Sequence, residues 1–200
     1  MWQPRFQHHL QAFQDVGALV MEDNERAVVP DLTSYNPLRQ ESSCEKISLY
    51  MIEYAVGLHI TDDVCAHPVH PQLRKNTCDI MPALDIAGIA GQAMSNRHNL
   101  MLVIKAERRA TLQSAIAAVG ALVKKTVGVF LENKQLLSDS AKLHAFGLCV
   151  DADVWQYVRG MRDCIVGLIY WLYERDRSFS EAGDKVRDLG WVFLPPRSGA

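Results

Sequence analysis

The chain has 200 residues, enough for one domain with a sizeable core or two small ones. Hydrophobic residues make up 48% and charged residues 22%, so disorder is excluded as the starting assumption. A formal net charge of −2 excludes a general electrostatic attraction to nucleic acid or to an anionic membrane.

The five cysteines (Cys44, Cys65, Cys78, Cys149, Cys164) are odd in number and lack any CxxC pairing. That argues against a disulfide framework or structural zinc and for buried thiols in a reducing compartment. The first six residues carry no basic region followed by an apolar run, so no secretory signal is expected. The longest apolar stretches, residues 119–123 and 165–170, stop well short of a membrane span. A cytoplasmic protein without a membrane span is expected.

In chain order the apolar period is helical nearly throughout. Phe6, Leu10, Phe13, Val16 and Val20 form the first stripe. Pro30 ends that element and Asp31 caps the next, a short helix carrying Tyr35 and Arg39, with Pro37 in its first turn or bending it. Residues 45–58 predict an apolar helix with Ile47, Met51, Tyr54, Ala55 and Leu58 inward and Gly57 weakening its end. Thr61-Asp62-Asp63 caps one short turn, closed by His67-Pro68 and His70-Pro71. Residues 73–94 are helical with a break at Pro82, after which small residues (Ala83, Ala87, Gly88, Ala90, Gly91, Ala93) allow close approach of a helix or ligand. A turn at residues 96–99 follows. Leu112, Ile116, Val119, Val123, Val127 and Phe130 predict one long helix over residues 110–137. Val154, Val158, Met161, Ile165, Leu168 and Leu172 predict another over residues 154–175. No segment alternates as a strand. The expected fold is all-α, an antiparallel helical bundle in one domain over residues 1–190 with a flexible tail at 191–200.

Candidate chemistry is sparse. Asp62-Asp63 sits where a helix cap is favoured over a metal site, because magnesium needs carboxylates converging from a fixed scaffold. His67 and His70 are separated by proline and fit a surface loop better than a metal pair. Arg39 and Arg177 have the planar fork that holds diphosphate oxygens, and two such residues on different helices could clamp one; surface salt bridges are the plainer alternative. Tyr54, Phe130, Trp155 and Trp171 are candidates for a pocket wall or for ordinary core.

The order of these segments resembles the C-terminal part of the class I terpene synthases, fungal sesquiterpene type. Pro30-Asp31, Tyr35 and Leu38-Arg39 look like the helix bearing that family's diphosphate-sensing arginine. Leu49, Glu53, Gly57, Asp62, Val64 and His67-Pro68 resemble the stretch that follows it. Leu84-Asp85-Ile86, Gly88 and Gln92 occupy the place of the metal-binding Asn-Asp-x-x-Ser-x-x-x-Glu motif, and His98-Asn99-Leu100 matches the adjoining "hNL". Tyr157 to Gly160 and Gly167 to Phe179 resemble the terminal signature, whose Arg-Tyr pair is reduced to Arg177-Ser178.

The resemblance implies a prenyl diphosphate (C10–C15) or another apolar small molecule as partner, Arg39 and Arg177 at its diphosphate, and Tyr54, Gly88, Gln92 and Trp171 along the pocket. It also implies magnesium, yet Leu84 and Gly88 offer no side-chain oxygen and Gln92 only a neutral one. The family's aspartate-rich motif would precede residue 1. No metal ligand and no cofactor is therefore assigned; magnesium enters only if a partner or other residues supply its ligands. Three readings follow: a shortened or divergent terpene synthase-type lyase, a catalytically silent isoprenoid binder, or a helical partner domain whose open face makes a homo-oligomer.

Overall fold

The computed structural model describes residues 3–80, 83, 85, 86, 97–142, 146–174 and 183–189. Among these residues there is no strand, and helices follow one another with short connections. They are α1 (Gln3–Glu25), α2 (Leu32–Ser42), α3 (Glu45–Val56), α4 (Asp62–Ala66), α5 (Val69–Asp79), α6 (Leu100–Arg108), α7 (Leu112–Lys142), α8 (Leu148–Glu174) and α9 (Gly183–Leu189). Ala83, Asp85 and Ile86 are also helical. The expected tail lies outside the described residues.

The helix ends obey local chemistry. Asp31 caps α2, its carboxylate accepting from the Ser34 N–H at 2.7 Å. Pro37 lies inside α2, in its second turn, so it takes one N–H out of the helix ladder without ending the helix. Gly57 closes α3 at φ 73°, a left-handed conformation that glycine adopts without a Cβ clash. Thr61, with Asp62 and Asp63 behind it, starts α4 as a cap, and the Asn99 side chain accepts from the Met101 N–H at 3.0 Å to start α6.

The helices pack as an antiparallel bundle: α5 and α6 lie on α7, α1 lies on α2, and α8 packs against α3 and α7. One core cluster joins α3, α5, α7 and α8 through Leu49, Leu73, Ile80, Phe130 and Met161. A second joins α2, α6 and α7 through Tyr35, Met101, Val103, Ala115 and Val119. Each fully buried leucine, isoleucine, valine, phenylalanine or methionine among them contributes about 1.5–3 kcal/mol relative to exposure. The α7 stripe expected from the sequence faces these clusters, as do Val154, Val158, Met161 and Ile165 of the α8 stripe.

Three expectations need correction. On α3 the buried face is Glu45, Leu49, Tyr50, Ile52 and Glu53, whereas Met51 and Tyr54 are 44% and 64% exposed. The helix is apolar on several sides, and α5 and α8 selected a face that includes two carboxylates. His70 is no loop residue: it lies in the first turn of α5, 4% exposed, with its ring stacked on Tyr157 at 5.7 Å. Proline at position 71 is compatible because N–H groups in a first turn have no helical partner to lose. The stretch Leu112–Leu137 is also long and apolar enough to cross a membrane by length and composition alone, which the shorter runs noted in the sequence did not suggest. Its packing on α5, α6 and α8 through Ala115, Val119, Phe130 and Leu137 is that of a bundle helix.

Candidate functional site

Asp85 joins two other chain segments, α2 and the start of α6. Tyr35, on the inward face of α2, donates its hydroxyl hydrogen bond to Asp85 Oδ2. Arg39, one turn further along the same face, places Nη2 3.3 Å from Asp85 Oδ1. The Leu100 N–H, at the start of α6, donates to Asp85 Oδ2 at 2.9 Å, and the Asn99 side-chain amide donates to the Asp85 carbonyl at 2.9 Å.

The setting is desolvated: Tyr35 is fully buried, and the Arg39 and Asp85 side chains are 18% and 4% exposed. Burial works against the Arg39 charge, but Asp85 and Tyr35 outweigh it and raise the guanidinium pKa. Burial and then the Asp85 charge push the Tyr35 hydroxyl above its ordinary value, so it remains a proton donor. Arg39 Nε is buried without a hydrogen-bond partner, a charge-bearing donor left over after the Asp85 contact. Arg39 also lines a pocket of about 160 Å³ between α2, α5 and α7, with Asn36, Lys75, Asp79 and Thr126.

Of the residues singled out in the sequence, the structure brings Arg39 to this network. Arg177, Gly88 and Gln92 lie outside the described residues. Tyr54 and Trp171 are 64% and 46% exposed on α3 and α8 and line neither this pocket nor the larger one between α1, α3 and α5. Among the described residues, no group of three or more His, Cys, Asp or Glu could hold a metal ion. Sequence reasoning missed Asp85 as an organising residue. Its signal was present: it is the one acidic residue in the segment 84–92 that the resemblance sets against the family's metal motif.

The bundle has the class I terpene synthase fold. It superimposes on a crystal structure of a-eudesmol synthase with a TM-score of 0.77 at 19% identity, over 86% of this chain and 56% of that one. Linalool/nerolidol synthase from Streptomyces clavuligerus, in complex with 2-fluorogeranyl diphosphate, matches with a TM-score of 0.76 at 17% identity, over 86% and 58%. The chain belongs to terpene synthase family 2, whose C-terminal metal-binding profile matches residues 1–128.

It is 32% identical over 194 residues to alpha-muurolene synthase of Coprinopsis cinerea, covering 96% of this chain and 44% of the relative. It is 35% identical over 177 residues to sesquiterpene synthase Agr1 of Cyclocybe aegerita, covering 88% and 49%. The chain thus spans about half the length of these curated relatives.

Proposed function

We propose that this sesquiterpene synthase-like chain binds a C10–C15 prenyl diphosphate, with Arg39 at the diphosphate and Arg177 as a second arginine there. The observation that carries this reading is the Arg39 guanidinium: largely buried, oriented by Asp85, and holding an Nε–H without a hydrogen-bond partner among the described residues. A diphosphate oxygen is the natural acceptor for such a group, because charge-assisted hydrogen bonds in a desolvated setting are roughly twice as strong as neutral ones. The relatives named above, one of them in complex with a fluorinated geranyl diphosphate, support the substrate class. Loss of diphosphate and cyclisation of the resulting carbocation is the lyase chemistry the family resemblance supports.

Magnesium does not fit the residues present. Leu84 and Gly88 lack a side-chain oxygen and Gln92 is neutral, whereas a hard divalent cation selects carboxylate and other oxygen donors. An active assembly would need donors from another subunit or from residues other than these three. The same donor loss favours a second reading, a catalytically silent protein that binds an isoprenoid. A homo-oligomer is part of the proposal: α1 has no fully buried residue, and Met21, Met51, Tyr54, Tyr170 and Trp171 leave apolar surface exposed. We place the protein in the cytoplasm, consistent with its five free thiols.

The test is incubation of the purified chain with geranyl and farnesyl diphosphate, with magnesium or with EDTA, followed by gas chromatography. Magnesium-dependent hydrocarbons or terpene alcohols would establish the lyase and overturn the donor argument for this chain alone. No turnover, with prenyl diphosphate binding that Arg39→Gln weakens, would establish the silent binder. No binding of either diphosphate would sink both readings.

A further inference from the structure

A second pocket, of about 400 Å³, lies between α1, α3 and α5, and neither Arg39 nor Asp85 lines it. Its wall carries four cations: Arg5 from α1, Lys46 from α3, and Arg74 and Lys75 from α5. Three of them have a carboxylate partner. Arg5 Nη2 lies 3.4 Å from Glu53 Oε2, Lys46 pairs with Glu41, and Lys75 pairs with Asp79.

Arg74 has none among the described residues. Its contacts are neutral: it donates to the Tyr157 hydroxyl, and its guanidinium carbon sits 4.5 Å from the Tyr50 ring centroid. Burial alone would favour discharging it, yet Tyr157, Tyr50, Cys78 and Glu53 together keep its pKa raised. Among the described residues Arg74 makes no ion pair, and Glu53, which acts on its charge from farther off, is already paired with Arg5, so the pocket wall carries more cationic than anionic charge. Beside it stands His70, 4% exposed, with Nε2 lacking any hydrogen-bond partner.

We propose that this pocket binds a tetrahedral phosphate-class anion, seated on Arg74 and flanked by Arg5, Lys46 and Lys75. The donors come from three helices and several directions. A planar carboxylate occupies one guanidinium fork, whereas a phosphate has oxygens for all of them. The two lysine pairs can follow a doubly charged anion, because Lys75 is 54% exposed and Glu41 and Lys46 are only partly covered. His70, held neutral by burial, supplies a further polar atom at the wall. The site stands apart from the prenyl diphosphate reading, since it does not use Arg39.

The experiment titrates the full chain with inorganic phosphate, pyrophosphate and geranyl diphosphate by calorimetry, at low and high sodium chloride. Expected is saturable phosphate or pyrophosphate binding that weakens with salt, falls about tenfold or more in Arg74→Gln, and survives in Arg39→Gln. Should Arg74→Gln lose its helical circular dichroism, the Lys46→Gln/Lys75→Gln double variant replaces it, with weakening of several-fold and a shallower salt dependence expected. Substitution of the exposed Lys124 and Lys125 on α7 controls for loss of net charge. Absence of binding, equal binding in every variant, or loss in Arg39→Gln alone would overturn the proposal. Tight binding of geranyl diphosphate with no response to the two inorganic anions would likewise overturn it and assign the affinity to the prenyl chain.

Discussion

The Arg39 guanidinium and the Asp85 carboxylate meet at 3.3 Å inside the bundle, and the same carboxylate takes the Tyr35 hydroxyl and the Leu100 N–H. One side chain therefore ties α2 to the start of α6 and keeps a buried arginine charged. Asp85→Asn leaves that arginine without its counter-ion, so a loss of about 3–5 kcal/mol is expected in urea unfolding. Tyr35→Phe removes one neutral donor and should cost about 1–2 kcal/mol. A loss below about 1 kcal/mol for Asp85→Asn would show that the pair does not anchor these helices.

Gly160 on α8 faces α3 at close range. A Cβ built there would stand 2.5 Å from Ile52 Cγ2, a distance that real Cβ atoms do not show. Gly160→Ala is expected to destabilise by about 1–3 kcal/mol through overpacking. In Gly160→Ala/Ile52→Ala the combined loss should be smaller than the two single losses added, since the second change removes the clash. Simple additivity in denaturant melts would contradict the contact.

His70 makes stability depend on pH in a defined direction. Burial, reinforced by Arg74, Arg5 and His67, pushes its pKa down to about 3. An unfolded histidine titrates near 6.5, so between the two values the unfolded chain binds the extra proton. The stabilisation is complete above about pH 6.5 and is lost as pH falls toward 3, by up to about 1.4 kcal/mol per unit. His70→Gln should flatten this slope in melts taken from pH 7 to 4. An unchanged slope would mean that another group carries it.

Asn99 performs two tasks at the entry to α6, capping the Met101 N–H at 3.0 Å and donating to the Asp85 carbonyl at 2.9 Å. Asn99→Ala is expected to cost about 1–2 kcal/mol for the cap, and more where the buried carbonyl is left unpaired. Asn99→Asp keeps the cap but sets a buried carboxylate oxygen against the Asp85 carbonyl, so it should fall below the alanine variant. The ordering of the three melting temperatures is the check.

Much of the fold was legible because helix period and helix punctuation are local properties. The Leu112 to Phe130 stripe, the Asp31 cap, the Thr61 cap and the Gly57 ending all act within a turn or two of chain. Arg39 was also legible, since a tyrosine one turn before it marks a shared face. The α3 face was not, because Glu53 looks like a solvent residue until Arg5, 48 residues away in the chain, is brought against it. The cationic pocket was equally hidden, its arginines and lysines being distributed over three helices.

The sequence by itself determined that this protein is helical and where α2, α3 and α4 begin. Those properties depend on side-chain chemistry and on neighbours within a few residues. Only the tertiary structure decided which face of α3 is buried, that His70 is a core residue, that Asp85 organises Tyr35 and Arg39, and that Arg74 lies against Tyr50 and Tyr157. Each depends on charges and surfaces from helices distant in sequence, and desolvation and ion pairing are fixed only when those helices pack.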